Sequence, residues 1–338
     1  MNRLDRRIAV APMMDWTDRH CRYFLRGFSA HTLLYTEMIT AAALLRGDAA
    51  RLLAFEPAEH PVALQLGGSE PDALAAAARI GEQAGYDEIN LNCGCPSERV
   101  ASGAFGACLM LEPKRVAECV AAMSAAVRVP VTVKMRIGVL SAARRELGGA
   151  LDSVTERDFE ALAQFVALVR EAGCRVAIVH ARKAVLGGLS PKDNREIPPL
   201  RYDVVRRLKQ VFADLPVVLN GGIRTVVSAL DALNWCDGVM LGREAYHRPG
   251  LLAELQQALH PQSPAPTHEA LLERMACYAE ARLAEGHPLS SITRHMLGLY
   301  AGEPGARAYR RLMSEGSRAP GADAGLIRQV AATVRAAA

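Results

Sequence analysis

The strongest constraint on the fold is an alternation of short strand-like runs and longer helical patterns along the first 242 residues. Eight runs rich in β-branched and other apolar residues occur at 8–13, 33–38, 62–67, 88–93, 131–136, 175–180, 216–221 and 237–242. Helical patterns between them include 71–85, 112–127, 155–173 and 199–212. Several of these helical patterns end in a glycine, which is typical of a helix C-terminus. Eight such units predict an α/β fold, a closed (β/α)8 TIM barrel.

An open, doubly wound sheet is the main alternative fold. Such sheets have fewer strands and commonly carry G-x-G-x-x-G after the first strand. Here the first run continues into Pro12-Met13-Met14-Asp15 instead, so the barrel is the better prediction.

The pattern changes after the eighth unit. Residues 260–267 contain three prolines, and only helical patterns follow them. We therefore predict a barrel over residues 1–258, a linker over 259–267 and a small C-terminal helical domain over 268–338. Two segments near the strand ends are unusual: we expect the long segment 139–158 to cover the active face and the glycine-rich segment 98–110 to form a mobile lid.

Composition excludes several classes of protein. No run of 18 apolar residues occurs, so we expect no membrane span, and the first residues do not resemble a secretion signal. The eight cysteines lack Cys-x-x-Cys spacing, which argues against a disulfide framework or a structural metal and favours a reducing, cytoplasmic location.

The net charge of +4 lies entirely in the last 45 residues, with seven arginines and three acidic residues. That excess indicates either an anionic partner or solvated helix faces.

Polar residues at the strand ends are the candidates for chemistry, because a TIM barrel carries its active site at the C-terminal ends of its strands. Side chains alternate between the faces of a strand. The residues predicted to meet in the barrel mouth are Gln65, Asn92, Lys134, Arg136 and His180. Burying two cations there without an anionic ligand is costly, so the set predicts such a ligand.

Two glycine-containing sites follow the last two strands. They are Asn220-Gly221-Gly222 and Gly242-Arg243. Phosphate commonly binds after strands seven and eight of a TIM barrel, where glycine allows close backbone approach and arginine supplies charge. These sites predict a phosphate, which could belong to a substrate or to a cofactor.

Cys95 lies just beyond the fourth strand and next to a proline, so it can reach the barrel mouth, whereas Cys93 faces the helix layer. An ordinary thiol has a pKa of roughly 8.5 and is largely protonated at pH 7. Such a thiol is a better proton donor than nucleophile. Structural packing is the alternative role for Cys95.

At these residues the sequence resembles the tRNA-dihydrouridine synthases, and within them the A subfamily. The resemblance rests on segments that run in order over about nine-tenths of the chain, including APMMDWTD (11–18), NLNCGCPS (90–97), VKMRIG (133–138), HARKAVLGGLSPKDNREIPPL (180–200), VVLNGGI (217–223) and GVMLGREAYHRP (238–249). It implies a flavin mononucleotide (FMN) barrel with a C-terminal helical domain. The implied reaction reduces uridine to 5,6-dihydrouridine at positions 20 and 20a of the tRNA D-loop, with NADPH as reductant.

The resemblance also implies roles for individual residues. Cys95 matches the catalytic acid that protonates C5 of the uracil, while the hydride goes from reduced FMN to C6. The positions implied to bind FMN are Pro12, Met13, Met14, Gln65, Lys134, His180, Asn220, Gly221, Gly222, Gly242 and Arg243. Those implied to bind tRNA are Asn92, Lys192, Arg195, Arg307 and Arg310. We expect no DNA partner and a monomer.

Three other functions remain open from the residues. One is an FMN oxidoreductase acting on a free pyrimidine, similar to dihydroorotate dehydrogenases, which would have no use for Arg307 and Arg310. Another is an aldolase that forms a Schiff base at Lys134 and needs no flavin. The third is an RNA-binding barrel without chemistry, for which Cys95 would have no role.

Overall fold

The computed structural model describes residues 4–97, 105–141 and 151–330. The strands in these ranges are β1 (Ile8–Val10), β2 (Leu33–Thr40), β3 (Val62–Gly67), β4 (Glu88–Cys93), β5 (Val131–Arg136), β6 (Val139–Ser141), β7 (Ala177–His180), β8 (Ala184–Leu186), β9 (Val217–Asn220) and β10 (Gly238–Leu241). Eight of the described strands are parallel neighbours in a closed barrel, in the order β1-β10-β9-β7-β5-β4-β3-β2. The predicted TIM barrel is confirmed, and each of the eight predicted runs contains one barrel strand or most of it.

Helices alternate with the barrel strands and continue after them. The α-helices bounded within the described ranges are α1 (Arg19–Arg26), α2 (Ala41–Arg46), α3 (Ala49–Leu52), α4 (Pro71–Gln83), α5 (Pro113–Ala126), α6 (Glu156–Glu171), α7 (Tyr202–Val211), α8 (Val226–Leu233), α9 (Arg243–His247), α10 (Gly250–Leu259), α11 (His268–Ala284), α12 (Leu289–Thr293) and α13 (Ala306–Gly316). Thr155 begins α6 with a reciprocal capping box to Asp158. Gly85 and Gly173 follow α4 and α6 with φ of 99° and 107°, as the predicted C-cap glycines require.

Strand alternation separates two layers of core. The barrel interior holds a separate cluster of buried side chains, of which Tyr35 is the largest: Ala9, Ala11, Leu33, Tyr35, Ala63, Val176, Ile178, Val218 and Met240. The opposite faces of the strands, including Leu64, Leu91 and Val133, pack with the surrounding helices in the main core. Since Gln65 follows two residues after Ala63, the polar positions of the strands lie on the interior side, as predicted.

The C-terminal helices pack against the barrel through α1. The rings of Tyr23 and Tyr278 stack with centroids 4.1 Å apart. A Cβ atom on Gly27 would lie 2.6 Å from Leu271 Cδ2, so α1 and α11 are in close contact. Residues 260–267 connect α10 to α11, and a last helical segment begins at residue 325. The hydrophobic core is continuous between the two parts, and their separation into domains stays a prediction.

A second joint links the C-terminal helices to the barrel mouth. Asp18 caps α1 by accepting a hydrogen bond from the N–H of Cys21 at 2.9 Å. The same carboxylate forms hydrogen bonds with Nε2 of His295 and Nη2 of Arg294, both at 2.9 Å. Burial opposes ionisation, but the hydrogen bond and charge of His295 hold the pKa of Asp18 well below its ordinary range. Asp18 therefore ties the loop that follows β1 to the C-terminal segment.

Two predicted loops contain regular structure. Residues 139–141 form β6, which pairs in parallel with β8, and we did not predict this small sheet. Residues 106–111 of the predicted lid form a 3-10 helix (Gly106–Leu111). Residues 142–150 and 98–104 of these segments lie outside the described residues, whereas 151–155 lead into α6. In the ranges that are described, no helix is long and apolar enough to cross a bilayer.

Candidate active site

Three interior amides form a ladder across strands β3 and β4. Gln65 Nε2 donates to Asn90 Oδ1 at 2.7 Å, and Asn92 Nδ2 donates to Gln65 Oε1 at 2.8 Å. The three residues are 7% exposed or less. Strand pairing places Gln65 beside Asn90, so neighbouring strands bring these side chains together.

The ladder ends at Cys95. Asn92 Oδ1 accepts the backbone N–H groups of Gly94 and Cys95, each at 3.0 Å. The Cys95 carbonyl accepts the N–H of Ala107 at 2.9 Å, and its thiol donates to Ser97 Oγ at 3.5 Å. Cys95 is half-buried. The backbone of Cys95 is thus held from both sides at the barrel mouth.

Lys134 lies beside this ladder, since β4 and β5 pair Asn92 with Lys134. Within the described ranges, no hydrogen bond or ion pair satisfies its ammonium group. Burial, followed by repulsion from Arg136, lowers the pKa of Lys134 to about 8, against an opposing effect of Cys95. An unpaired, half-buried cation of this kind fits an anionic ligand.

The structure corrects the prediction for Arg136. Its guanidinium does not serve the barrel mouth but donates to three backbone carbonyls, those of Gly94 at 3.1 Å, Lys183 at 3.2 Å and Asn194 at 2.8 Å. Arg136 is 4% exposed. It therefore fastens the loop of Cys95 to the segments on both sides of β8.

His180 ends β7 as predicted. Burial, followed by the positive charges of Arg136 and Lys134, lowers the pKa of His180 well below its ordinary value of 6.5, so the ring is neutral at pH 7. A Cβ atom on Gly221 would lie 2.6 Å from His180 Cδ2. Only glycine allows the backbone to pass this close to the imidazole.

The predicted phosphate residues converge at the ends of β9 and β10. Gly221 and Gly222 have φ of 107° and 76°, which favours glycine. Tyr202 donates its hydroxyl to the carbonyl of Gly221 at 2.6 Å. At Gly242, by contrast, an added Cβ would meet no other described atom within 4 Å. Open space therefore lies beside a glycine-lined turn.

Two side chains of this group are engaged elsewhere. Asn220 donates Nδ2 to the carbonyl of Met240 at 2.7 Å, and Arg243 pairs with Glu196 at 2.5 Å. Asn220 thus holds β10 in place. Since the Arg243–Glu196 pair is partly exposed, Arg243 remains able to exchange this carboxylate for a phosphate.

The loop after β1 lies next to this group, because β1 pairs with β10 in the barrel. Met13 exchanges hydrogen bonds with Thr17, through its N–H at 2.9 Å and its carbonyl, and Asp15 adopts a φ of 64°. Pro12 and Met13 are half-buried, whereas Met14 is 56% exposed. This tight turn leaves the apolar side chain of Met14 exposed to solvent.

Apart from Asn92, which belongs to the amide ladder, the predicted tRNA residues occupy two separate places. Lys192 and Arg195 are exposed on the loop after β8. Partial desolvation, followed by the charge of Arg243, lowers the pKa of Arg195, while Cys95 acts in the opposite direction. Arg307 and Arg310 are exposed on α13 and are not among the side chains that meet at the strand ends.

Some of the arginines in the C-terminal segment are neutralised by ion pairs, so fewer are available to an anionic partner than the sequence suggested. Arg294 pairs with Asp18, and Arg328 pairs with Glu273 and Glu280. Arg307, Arg310 and Arg311 carry no ion pair within the described ranges. They lie at i, i+3 and i+4, so they share one face of α13.

Sequence reasoning missed the residues that shape the segment between β7 and α7. Asn194 is completely buried, and it both accepts from the N–H of Val185 at 2.8 Å and donates to its carbonyl at 3.0 Å. Arg182 donates to the carbonyls of Glu196 and Pro198. No local pattern marks these contacts, since Val185, Glu196 and Pro198 lie 9 to 16 positions from the side chains that bond them.

A separate depression lies at the other end of the barrel. It has a volume of about 680 Å³ and is lined by residues at the strand starts, including Arg6, Arg128 and Arg175. In the described part of the chain, no group of three or more His, Cys, Asp or Glu residues is arranged to hold a metal ion.

Comparison with known proteins decides the family. The family model described as dihydrouridine synthase matches residues 9–336. The chain belongs to the dihydrouridine synthase family. This confirms the resemblance on which the assignment of the site residues depends.

Relatives and solved structures agree with the family. A protein of Xanthomonas axonopodis pv. citri named tRNA-dihydrouridine(20/20a) synthase is 54% identical over 96% of this chain and 92% of its own length. Proteins of the same name from Pseudomonas aeruginosa and Vibrio vulnificus are 56% and 49% identical, over 92% and 97% of this chain and 90% and 97% of their own lengths. A solved 2-naphthoyl-CoA reductase has a TM-score of 0.51 at 10% identity, over 75% of this chain and 50% of that chain. At that identity it supports the barrel fold alone.

Proposed function

We propose that the protein reduces uridine to 5,6-dihydrouridine at positions 20 and 20a of the tRNA D-loop, with bound FMN as cofactor and NADPH as reductant. The observation that carries the proposal is Cys95, held at the barrel mouth by Asn92 and placed near the unpaired ammonium of Lys134. The names of the relatives support the tRNA positions.

The residues at the strand ends suit FMN. Gly221, Gly222 and the open space at Gly242 would receive its phosphate, with Arg243 as the cationic partner. Lys134 would balance negative charge on the reduced isoalloxazine ring, and Gln65 would hydrogen-bond its polar edge. The turn of Pro12, Met13 and Met14 would cover its apolar surface. When bound, FMN would supply the hydride that C6 of the uracil accepts.

Cys95 completes the reduction. Its thiol donates a proton to C5 of the uracil, so one hydride and one proton are added across the C5–C6 double bond. The resulting thiolate takes a proton from water before the next cycle. A loop base costs at most a few kcal/mol to extrude, and contacts of Arg307 and Arg310 with tRNA phosphates can offset that cost.

The decisive experiment measures dihydrouridine in unmodified tRNA after incubation with the FMN-loaded protein and NADPH. We expect Cys95→Ala to keep bound flavin and its reduction by NADPH, but to lose at least about a hundredfold in the rate of dihydrouridine formation. Cys277→Ala is the matched control, because Cys277 is exposed on α11. Full activity in Cys95→Ala would remove the proton-donor assignment.

The lowered pKa of Lys134 also permits a direct test of the aldolase alternative, although membership of the dihydrouridine synthase family argues against it. A Schiff-base lysine needs a depressed pKa, and the pKa of Lys134 is about 8. Borohydride trapping with a sugar phosphate tests this directly. A covalent adduct on Lys134 would favour the aldolase, whereas a yellow protein without adduct supports the flavin enzyme. The tRNA partner and a cytoplasmic location follow from the proposed reaction.

A further inference from the structure

A buried carboxylate lies inside the barrel below the amide ladder. Glu88 begins β4 and is inaccessible to solvent. Arg6 donates Nε at 3.0 Å and Nη2 at 2.7 Å to Glu88 Oε2. The hydroxyls of Tyr35 and Thr132 both donate to Oε1, the latter at 2.7 Å. An ionised carboxylate accepts about four hydrogen bonds and donates none, so the proton of the Thr132 hydroxyl is committed to Glu88.

A polar chain runs from Thr132 to the active-site loop. Because its proton is committed, Thr132 Oγ1 can only accept from its next neighbour, Asn90 Nδ2, at 2.9 Å. Asn90 Oδ1 then accepts from Gln65, and Gln65 Oε1 accepts from Asn92. Asn92 Oδ1 is left to accept the N–H of Cys95. We name these four side chains, Thr132, Asn90, Gln65 and Asn92, the interior chain.

The direction of the interior chain is fixed at both ends. Its lower end meets a carboxylate that only accepts, and its upper end meets backbone N–H groups that only donate. Reversing any one amide would place two donors or two acceptors face to face at two junctions. All four side chains are 7% exposed or less, so water cannot repair such a mismatch. The two ends therefore demand the same orientation of every amide between them.

We infer that Glu88 and Thr132 are positioning residues for the reaction: through the interior chain they set the amide orientations of Gln65 and Asn92, and thereby the position of Cys95. The inference rests on the proposed role of Cys95 as the proton donor. It also fixes what Gln65 offers a ligand, namely one remaining N–H on Nε2 and one remaining lone pair on Oε1.

Two substitutions next to Glu88 form a matched pair of variants. Thr132→Val and Tyr35→Phe each remove one buried hydroxyl that donates to the same oxygen of Glu88, but only Thr132 continues to Asn90. Thr132→Ser retains the hydroxyl and should restore the behaviour of the wild type. All are prepared as the full-length, FMN-loaded protein.

Three measurements separate positioning from mere stability. They are kcat and KM with a tRNA transcript, the dissociation constant of FMN, and the alkylation rate of Cys95 by iodoacetamide, read on its peptide by mass spectrometry. We expect Thr132→Val to lower kcat at least about tenfold with KM for tRNA within about twofold, and to change the Cys95 alkylation rate at least about threefold. Tyr35→Phe and Thr132→Ser should stay within about twofold of the wild type in each measurement.

Equal behaviour of Thr132→Val and Tyr35→Phe would overturn the inference. If Thr132→Val does not fold, Thr132→Ala removes the same hydroxyl without the branched methyl groups, and Thr132→Ser controls for the lost methyl. Failure of the proposed function has a different signature, because a fully active Cys95→Ala would dismiss the proton donor. The alkylation comparison would still report whether the interior chain positions that thiol.

Discussion

Lys134→Met removes an unpaired cation from the barrel mouth while keeping the length of the side chain. Among the described residues this lysine has no hydrogen-bond or ion-pair partner, and burial lowers its pKa from 10.5 to about 8. We therefore expect the variant to be more stable than the wild type when no ligand is bound. The same variant should bind FMN less well.

The magnitude follows from the pKa shift. A difference of about 2.5 units, at 1.36 kcal/mol for each unit, corresponds to roughly 3 kcal/mol, and partial exposure reduces this to about 1–3 kcal/mol. Because the pKa is lower in the folded protein, the charged lysine destabilises the fold. This cost is fully present below pH 8 and is lost as the pH rises from about 8 to 10.5.

The assay is urea unfolding of the flavin-free protein at pH 7 and pH 10. Lys134→Met should exceed the wild type by about 1–3 kcal/mol at pH 7, and the gain should shrink by pH 10. Lys183→Met is the matched control, because Lys183 is buried and paired with Asp158 at 3.0 Å, so its loss should destabilise the fold. FMN titration should show affinity weakened about ten- to a hundredfold, the value of one charged contact.

Two results would refute this reasoning. One is a Lys134→Met protein that is less stable than the wild type at pH 7. The other is a stability difference between variant and wild type that is the same at pH 7 and pH 10. Such a result would mean that the positive charge of Lys134 is not what destabilises the folded protein.

Two further predictions test the phosphate site and the tRNA face. Gly242→Ala should change the free energy of unfolding by no more than about 0.5 kcal/mol, since an added Cβ meets open space. The same variant should weaken FMN binding in a fluorescence titration. Gly222→Ala should instead destabilise the protein by about 1–3 kcal/mol, because the φ of Gly222 is 76° and a Cβ would lie 2.4 Å from a leucine methyl group. Unchanged FMN affinity in Gly242→Ala would place the phosphate elsewhere. Arg307→Ala combined with Arg310→Ala should lower tRNA affinity and reduce the slope of log K against log salt by about 2, as measured by filter binding. The ion-paired Arg328→Ala should change neither, and a double variant with the slope of the wild type would exclude α13 from tRNA docking.

The barrel could be predicted because its signal is local. Each strand is a short run bounded by glycine or proline, and each helix carries its own periodicity and caps. Strand alternation then placed Gln65, Asn92 and Lys134 on the interior side without any knowledge of their partners. The hydrogen bonds of the interior chain depend on the pairing of β3, β4 and β5. Strand alternation in the sequence indicates which side chains face the interior, but it does not reveal which of them bond to one another.

The missed features depend on partners that are distant in sequence. Arg136 shares a strand face with Lys134, but its carbonyl partners belong to two loops, and one of these is organised by Asn194. Counting arginines could not reveal that Arg294 and Arg328 are neutralised by acidic residues 276 and 48 to 55 positions away. Side-chain contacts over such separations leave no periodic trace in the sequence.

The carboxylate of Asp18 has a consequence for anyone exchanging modules among members of this family. In a chimera that joins this barrel to the C-terminal helices of another relative, the Asp18 carboxylate still needs an imidazole and a guanidinium as hydrogen-bond donors. If the donor helices lack counterparts of His295 and Arg294, the graft leaves a half-satisfied anion at the base of α1. The turn of Met13 lies a few residues upstream, so such a hybrid would lose flavin affinity before it lost its overall shape.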